Sequence, residues 1–316
     1  MKRFLINLLL SILPVAVFAL WLDWRVVKDL RHSKHGDYGV WNDLYSGKAN
    51  KDLLIYGSSR AWVHIDPVVL EDSVRMSVYN LGVDGYNFDM SSLRHDIIMR
   101  GVPPKVIVYA LDGSTLFKRK DLYNQAQFLP YLDDDALEKR ISGYEGYSAW
   151  DARLPFVKFI GQYRVLFRWF NGDFSAAVPA DRYRGFKAQH VNWTKDVDEL
   201  IKHQKQLTQP LDTSSIRRFE LFLQQCRAGH IRVILTYPPE HVLGQQFVAN
   251  RTSIIRIYRS LASIYDIPFL DYSSDTLCMD KKYFYNSQHL NDVGATIYSR
   301  KLASALKGIL KDTPQK

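Results

Sequence analysis

Beyond residue 50, short apolar runs alternate with amphipathic stretches along the chain. Nearly continuous apolar runs of roughly four to eight residues are typical of strands that are buried on both faces of a parallel sheet. Five segments have this character: "DLLIYG" (52–57), "SVYNLG" (77–82), "KVIVYAL" (105–111), "IRVILTY" (231–237) and "IPFLDY" (267–272). We predict that they form the strands of one parallel sheet.

Apolar residues with the 3.6-residue period of an amphipathic helix lie between and after the last strands. They fall in three groups: Ile216, Phe219, Leu223 and Cys226; Ile254, Tyr258, Leu261 and Tyr265; Tyr298, Leu302, Ala305 and Ile309. Strands that alternate with such helices indicate an α/β fold. The pattern therefore predicts a three-layer domain with a parallel sheet and crossover helices.

The segment between the third and fourth strands is too long for a single crossover helix, and we predict an insertion at about residues 115–212. It contains "LPFVKFIGQYRVLFRWF", in which five apolar residues recur at helical spacing: Phe156, Ile160, Tyr163, Phe167 and Phe170. One interpretation is a helix that packs on the main domain. The other is a membrane-surface helix or a partner site, because Lys158, Arg164 and Arg168 accompany the aromatic residues.

The N-terminal stretch "MKRFLINLLLSILPVAVFALWLDW" is apolar from Phe4 to Leu22, which is about the length that spans a bilayer. A cleaved signal peptide is the alternative, because Val17 and Ala19 satisfy the small-residue rule at a cleavage site. The apolar run continues past these residues, so an uncleaved signal anchor is favoured. We predict an anchor at residues 1–25, a polar connector at 26–50 and the α/β domain at 51–316.

The charges that flank the apolar run bear on its orientation. Lys2 and Arg3 favour a cytoplasmic N-terminus, whereas Arg25, Lys28 and Arg31 reduce the charge asymmetry between the two ends. The expectation is a single-pass protein of the cell membrane whose domain faces the periplasm or the cell exterior.

Composition excludes several classes of protein. The net charge is +9, but the basic residues are scattered, so nucleic-acid binding is not expected. The two cysteines, Cys226 and Cys278, are too few for a disulfide framework and lack the spacing of a zinc site. They form either one bridge or two small buried side chains. No metal or organic cofactor is implied.

In an open parallel sheet, ligands bind beyond the carboxyl ends of the strands. "GSSRAW" follows the first strand and places Ser59 there, although taken alone this turn favours a capping role for either serine. "YNLGVDGYNF" follows the second strand, where Gly82 and Gly85 let the backbone approach a ligand and present an N–H to an oxyanion. "YFYNSQHLNDVGA" follows the fifth strand and contains His289.

In this order the three motifs resemble those of the SGNH (GDSL-type) hydrolase superfamily, over most of the chain from Asp52 to about Leu310. The resemblance implies a flavodoxin-like domain in which Ser59 of "GSS" is the nucleophile, with Ser58 in place of the family's aspartate. It also implies that Gly85 of "NLGVDG" serves the oxyanion hole and that His289 of "NSQHLNDVG" is the general base.

Two positions depart from the family pattern. "YALDGST" has Asp112 where the family offers an asparagine to the oxyanion hole, and a carboxylate there would oppose catalysis. Asn286 stands where the triad aspartate is expected. An amide oxygen orients an imidazole without stabilising its charge, and the equivalent change in a serine protease costs roughly 10⁴ in kcat. Asp271, Asp275 and Asp280 are the alternative carboxylates.

Arg60 follows the presumed nucleophile directly and has two interpretations. It forms a salt bridge that holds the loop, or it is a cationic clamp for an anionic substrate group. "TYPPEH" after the fourth strand predicts a rigid loop that forms one wall of the pocket.

An anchored domain of this kind looks like proteins that work beside membrane-bound O-acyltransferases, including alginate O-acetylation and teichoic-acid D-alanylation proteins. The resemblance implies an acyl esterase or O-acyltransferase that acts on a cell-envelope glycan. The alternative is an accessory protein with an eroded triad, which Asn286 and Asp112 favour. Dinucleotide binding is excluded because neither glycine motif has the required spacing.

Overall fold

The computed structural model describes residues 1–194 and 206–311, and the chain forms two compact units. The helical unit comprises Met1–Asn42 and Lys120–Asp181, and the sheet unit comprises Asp43–Arg119 and Arg182–Lys316.

Two of the predicted segments include residues outside 1–194 and 206–311. The predicted insertion at about 115–212 includes residues 195–205, and the predicted end of the α/β domain at 316 includes residues 312–316. Both stretches lie outside the described residues.

Within the described residues the sheet has five parallel strands: β1 (Leu53–Gly57), β2 (Val78–Asn80), β3 (Val106–Ala110), β4 (Arg232–Tyr237) and β5 (Phe269–Asp271). Their order is β2-β1-β3-β4-β5, the flavodoxin-like order. Each strand lies within one of the five predicted segments, so the predicted α/β fold with a parallel sheet is confirmed.

The helices of the described part are, in chain order, α1 (Lys2–His32), α2 (Gly36–Tyr45), α3 (Ser59–His64), α4 (Pro67–Val74), α5 (Phe88–Ile98), α6 (Asp135–Ile141), α7 (Ala149–Arg153), α8 (Tyr163–Phe170), α9 (Thr213–Ala228), α10 (Val242–Phe247), α11 (Arg251–Ile264) and α12 (Asp292–Lys311). The same part of the chain also has short 3-10 helices at Gln125–Tyr131, Val157–Phe159, Thr276–Met279 and Lys281–Tyr283.

Alternate residues of β1 pack on opposite faces of the sheet, because successive side chains in a strand point to opposite faces. Leu53 and Ile55 belong to the core that α3, α4 and α12 complete. On the other face, Tyr56 packs against Phe222 of α9, and α5 also covers β1. The sheet unit therefore has three layers.

The predicted apolar helix faces are buried where they meet this sheet. Phe219 and Leu223 of α9, Tyr258 of α11, and Tyr298 and Leu302 of α12 are at most 1% exposed. The helical period in the sequence therefore located the buried face of all three helices, although Ile216, Tyr265, Ala305 and Ile309 are only half-buried.

Strand register places the candidate site. Gly57, the last residue of β1, pairs with Ala110 of β3, which in turn pairs with Thr236 of β4. The segments that follow these three strands therefore leave the sheet at the same edge.

In the helical unit, α1 is long and apolar enough to cross a membrane, and the most apolar part of it is not buried in the protein. A signal sequence would pass the same test. The helix continues to His32, and Val26 and Leu30 are buried. The predicted connector at residues 26–50 is thus largely helical, since it contains the end of α1 and all of α2.

The predicted helix over 156–170 is interrupted. Phe156 has φ +65° and Gly161 has φ +80°, and these left-handed conformations flank the short 3-10 helix Val157–Phe159, so that within the stretch only Tyr163–Phe170 is α-helical. Phe167 and Phe170 are exposed. The five apolar residues of this stretch therefore do not lie on one continuous helix.

Candidate active site

Ser59 begins α3 directly after β1. Gly57 is required at the end of the strand because it has φ +141° and an added Cβ would lie 2.4 Å from the Ala110 carbonyl oxygen. Ser58 then caps the helix, its Oγ accepting a hydrogen bond from the Arg60 N–H at 3.2 Å. The capping serine predicted from "GSS" is thus Ser58, which leaves the Ser59 hydroxyl available.

His289 lies on the loop before α12, and its Nε2 is 2.7 Å from the Oγ of Ser59. The loop is held on both sides of the ring. The Tyr285 N–H donates to the His289 carbonyl oxygen at 3.0 Å, and the Leu290 N–H donates to Nε2 of the buried His64 at 3.0 Å. These bonds fix the backbone that presents His289 to the serine.

Asn286 fixes the tautomer of His289. Its Oδ1 accepts from the backbone N–H groups of Gln288 and His289 at 3.0 and 2.9 Å, and it lies 3.0 Å from His289 Nδ1. Backbone N–H groups only donate, so the atom that they share is the amide oxygen. Nδ1 therefore carries the proton and donates it, which leaves the lone pair of Nε2 facing the Ser59 hydroxyl.

The alternative carboxylates are occupied elsewhere. Asp271 binds Arg259 at 2.6 Å, Asp275 binds Lys301 at 2.7 Å and Asp280 binds Lys282 at 2.8 Å. In the described part of the chain none of these three aspartates hydrogen-bonds to His289. The only side chain there that hydrogen-bonds to the Nδ1 of His289 is Asn286.

Desolvation dominates the titration of His289. The ring stacks on Tyr285 with centroids 5.3 Å apart and meets the edge of His64 at 6.0 Å. Burial, with a smaller contribution from the Arg60 guanidinium, lowers the pKa of His289 to about 4, and Asp112 acts in the opposite direction. The imidazole is therefore neutral at pH 7 and able to accept a proton.

A cavity of about 300 Å³ opens beside the serine. Its lining contains four of the predicted site residues, Ser59, Arg60, Gly85 and Asp112. The rest of the lining is polar or aromatic for the most part: Ser58, Tyr86, Asn87, Gly113, Ser114, Phe117, Arg119, Gln209, Tyr237, Glu240, Val248, Arg251 and Gln288.

Gly85 is suited to the predicted oxyanion role. It has φ +69°, which favours glycine, and its carbonyl oxygen accepts from Arg119 Nη1 at 2.7 Å. Among the described residues no acceptor takes the backbone N–H of Gly85 or of Ser59. Both donors are therefore available to a ligand.

The expectation for Gly82 is corrected by its surroundings. Its N–H donates to Asn80 Oδ1 at 2.9 Å, and an added Cβ would lie 2.4 Å from the Trp62 backbone nitrogen. The glycine at this position allows close packing of two backbone segments. It does not present an N–H to a ligand.

Asp112 lies at the cavity wall and is 3% exposed. One carboxylate oxygen accepts from the hydroxyl of Ser58. The other accepts from the N–H and hydroxyl of Ser114, each at 2.7 Å, and from the Thr115 hydroxyl at 3.3 Å. The carboxylate thus organises the loop after β3 and supplies no donor to an oxyanion.

Arg60 holds the pocket wall, as the salt-bridge interpretation predicts. It is 4% exposed, its Nη1 lies 3.2 Å from Glu240 Oε2, and its Nη2 donates to the Pro238 carbonyl oxygen. The guanidinium carbon lies 4.8 Å from the centroid of the Tyr237 ring. Burial acts to lower the pKa of Arg60, but Glu240, with smaller contributions from Tyr237 and Asp112, raises it overall, so the group stays charged.

Sequence reasoning missed the second half of this ion cluster. Arg251 Nε lies 2.5 Å from Glu240 Oε1, so that two guanidinium groups share one buried carboxylate in the cavity that Ser59 also lines. The sequence pattern "TYPPEH" predicted only that Glu240 belongs to a loop at the wall of the pocket. Arg251 opens α11 and joins the cluster through tertiary contact, for which the sequence gives no signal.

No group of three or more His, Cys, Asp or Glu side chains with the arrangement of a metal site occurs within residues 1–194 and 206–311. Cys226 and Cys278 are both buried and free.

No protein-family model and no curated protein matches the chain. Among solved structures, the acetyl xylan esterase AlAXEase is similar at 13% identity, with 80% of this chain and 99% of that chain covered and a TM-score of 0.41. A GDSL-like lipase from Bacteroides thetaiotaomicron is 11% identical, with 84% and 89% covered and a TM-score of 0.38. The lipase/acylhydrolase from Enterococcus faecalis is 13% identical, with 84% and 98% covered and a TM-score of 0.36. Similarity at this level leaves the activity of this chain to be argued from its own residues.

Proposed function

We propose that this protein is a serine-dependent acyl ester hydrolase or O-acyltransferase of the SGNH type. The observation that carries the proposal is the chain of contacts from Ser59 Oγ to His289 Nε2 at 2.7 Å and from His289 Nδ1 to Asn286 Oδ1 at 3.0 Å. A hydroxyl, an imidazole and an orienting oxygen in this order are the arrangement that activates a serine nucleophile.

In the proposed reaction Ser59 attacks the carbonyl carbon of an ester while His289 accepts the hydroxyl proton. The N–H groups of Ser59 and Gly85 bind the oxyanion of the tetrahedral intermediate. As the intermediate collapses, the ester C–O bond breaks and His289 returns the proton to the leaving alcohol. Water or an acceptor hydroxyl then attacks the acyl-Ser59 ester by the same steps in reverse.

Asn286 sets the limits of this chemistry. It holds the productive tautomer, but as a neutral amide it does not stabilise the imidazolium that forms in each transition state. The pKa of His289, about 4, also limits the rate, because an imidazole with so low a pKa is a weak base. At pH 7 the ring is nevertheless unprotonated and able to accept a proton. We expect a slow enzyme whose activity persists into acidic solution.

The setting of this activity is also part of the proposal. We infer that α1 anchors the chain in a cell membrane with the sheet unit on the extracytoplasmic side, and that the ester belongs to a cell-envelope glycan. The apolar length of α1 supports the anchor. The resemblance to proteins of alginate O-acetylation and teichoic-acid D-alanylation supports the substrate class and a membrane-bound O-acyltransferase as partner.

Hydrolysis of 4-nitrophenyl acetate by the full-length protein in detergent tests the proposed chemistry. Ser59→Ala and His289→Ala are each expected to lower kcat by roughly 10³ or more, as triad removals do elsewhere. His190→Ala is the matched control, because His190 is an exposed histidine that pairs with Asp292. Loss of activity in the control, or its survival in Ser59→Ala, would contradict the assignment.

Asp112 favours a second candidate function, in which the cleft binds an acylated glycan without turnover. Its carboxylate stands in the cavity where the SGNH pattern has an asparagine donor, and negative charge there opposes an oxyanion. This candidate predicts calorimetric binding of acetylated oligosaccharide to the wild type with no hydrolysis. It also predicts that Ser59→Ala leaves the affinity unchanged.

A further inference from the structure

Helix α8 turns an aromatic stripe towards solvent. Tyr163, Phe167 and Phe170 recur at i, i+4 and i+7, so they share one face of the helix, and they are 69%, 67% and 84% exposed. Ile160, just before the helix, is 74% exposed. The opposite face is the packed one, since Val165 is only 7% exposed. Single exposed apolar residues need no explanation, but four of them within eleven residues, three on one helix face, indicate an interaction surface.

Three contacts tie this segment to one stretch of α1. Lys158 Nζ lies 3.1 Å from Asp23 Oδ2, and the Phe156 N–H donates to Asp23 Oδ1 at 2.9 Å. At the other end of the segment, Trp169 Nε1 donates to Asp29 Oδ2 at 2.8 Å. The segment 156–170 therefore lies beside residues 23–29 of α1, and the partly buried ion pair of Lys158 fixes it there.

Residues 23–29 immediately follow the apolar run of α1. Asp23 is the first charged residue after Phe4–Leu22, and Asp29 lies about 9 Å further along the helix at 1.5 Å per residue. If Phe4–Leu22 fills the hydrocarbon core, residues 23–29 lie at the level of the lipid headgroups, a layer of roughly 5–8 Å on each side. Trp21 and Trp24, each more than half exposed, are at the same level, where tryptophan is enriched.

We propose that Ile160, Tyr163, Phe167 and Phe170 form an interfacial platform that inserts into the surface of the bilayer beside the anchor helix. The occupant is lipid, because the contacts to Asp23 and Asp29 place the stripe at the headgroup level and leave its aromatic face uncovered. Arg164 is exposed on α8 and has no acidic partner in the described part of the chain, so it favours anionic headgroups. The platform makes α8 a second contact with the membrane and fixes the helical unit against the bilayer surface.

The inference rests on the membrane anchoring under the proposed function and is independent of the acyl chemistry. It is tested with the full chain in nanodiscs of phosphatidylcholine and phosphatidylglycerol. A nitroxide label is attached to a single introduced cysteine, and collision rates with oxygen and with a water-soluble nickel chelate report lipid or water. The two native cysteines are buried, so the unsubstituted protein gives the labelling background.

Four label positions separate the outcomes. Phe167→Cys reports the stripe, and Asn171→Cys reports the end of α8 with the stripe intact. Val15→Cys reports whether α1 is in the bilayer. Ala136→Cys is the aqueous control. Ala136 lies three residues from Asp133, and Asp133 pairs with Arg31 of α1. Arg31 is about 12 Å further along α1 than Asp23 and therefore further from the bilayer.

The expected result is a lipid-like collision ratio at position 15, an interfacial ratio at 167 and 171, and a water-like ratio at 136. A lipid-like ratio at 15 with water-like ratios at both 167 and 171 would overturn the platform while the anchor stands. A water-like ratio at 15 would overturn the anchor and the platform together, and would leave the esterase assignment untouched.

Discussion

The side-chain oxygen of Asn286 accepts hydrogen bonds from both the ring Nδ1 and the backbone N–H of His289, at 3.0 and 2.9 Å. An amide thus performs the orienting half of the work that a carboxylate performs in a Ser-His-Asp triad. The electrostatic half is absent, and burial lowers the pKa of His289 to about 4 without an opposing charge on Nδ1. The site has the geometry of a triad and a weak base.

Replacing Asn286 by Asp is expected to raise turnover. The new carboxylate keeps an acceptor for all three donors and adds a negative charge that raises the pKa of His289. Since kcat/KM falls when His289 is protonated, the acidic limb of the pH profile should move upward from about pH 4 by roughly one unit or more. A pH profile of kcat/KM for both proteins checks both effects.

The control for this variant is Asn286→Ala, which removes the acceptor and the charge together. It should lower kcat and leave the fold intact by circular dichroism. An acidic limb that stays in place in a folded Asn286→Asp protein would show that Asn286 does not face the catalytic base.

Replacing Asp112 by Asn is expected to move the same limb in the opposite direction. Asp112 raises the pKa of His289, so its neutralisation should lower the limb. Turnover should nevertheless rise by roughly tenfold or more, because an amide donor replaces a carboxylate beside the oxyanion. The Ser58 hydroxyl, which donates to Asp112, can turn to accept from the new amide. A drop in turnover in a folded Asp112→Asn protein would show that the carboxylate takes part in the reaction.

The fold was largely readable from the sequence because the sheet is buried on both faces. Its strands then appear as continuous apolar runs, and α9, α11 and α12 carry a clear 3.6-residue period. For the segment 156–170, the spacing of apolar residues did not predict the structure correctly. Its aromatic spacing is helical, but left-handed conformations at Phe156 and Gly161 break the helix, and the aromatic face points outward.

For the candidate site, the sequence motifs indicated the residues that end up together after the strands, Ser59, Gly85 and His289. Gly82 was expected, like Gly85, to present an N–H to a ligand, but its N–H donates to Asn80. Arg251 reaches Glu240 only through the packing of α11, and no local pattern marks such a contact. Local motifs therefore identify residues at strand ends, but they do not predict ion pairs that form through tertiary packing.

The packing role of Gly82 makes a prediction about stability. Gly82→Ala should destabilise the protein by about 2 kcal/mol or more, because its Cβ would lie 2.4 Å from the Trp62 backbone nitrogen. Gly308→Ala is the matched control in α12, where no atom lies within 4 Å of an added Cβ. It should stabilise the helix by about 1 kcal/mol. Urea denaturation of the three proteins measures both changes, and equal midpoints would refute the close packing at Gly82.

Two buried histidines make stability depend on pH. Burial lowers the pKa of His64 and of His289 below the value of 6.5 that each has when unfolded. Between about pH 6.5 and pH 4 the unfolded chain therefore binds more protons than the native protein. The free energy of unfolding should fall with decreasing pH across this window, by up to about 1.4 kcal/mol per unit for each histidine.

His64→Gln isolates one of the two contributions. Glutamine retains an acceptor for the Leu290 N–H that now bonds to His64 Nε2, but it does not titrate. Its unfolding free energy should depend less steeply on pH than that of the wild type. Parallel slopes from pH 6.5 to 4 would mean that His64 is not kept neutral by burial.

The measurement that tests the central claim most directly is covalent labelling of the full-length protein with a fluorophosphonate, followed by mass-spectrometric mapping of the modified residue. The reagent modifies serines that a neighbouring base activates. We predict modification at Ser59, none at the adjacent Ser58, and loss of labelling in Ser59→Ala and in His289→Ala. A folded protein that stays unmodified, or that is labelled equally well without His289, would contradict the assignment of Ser59 and His289 as nucleophile and base.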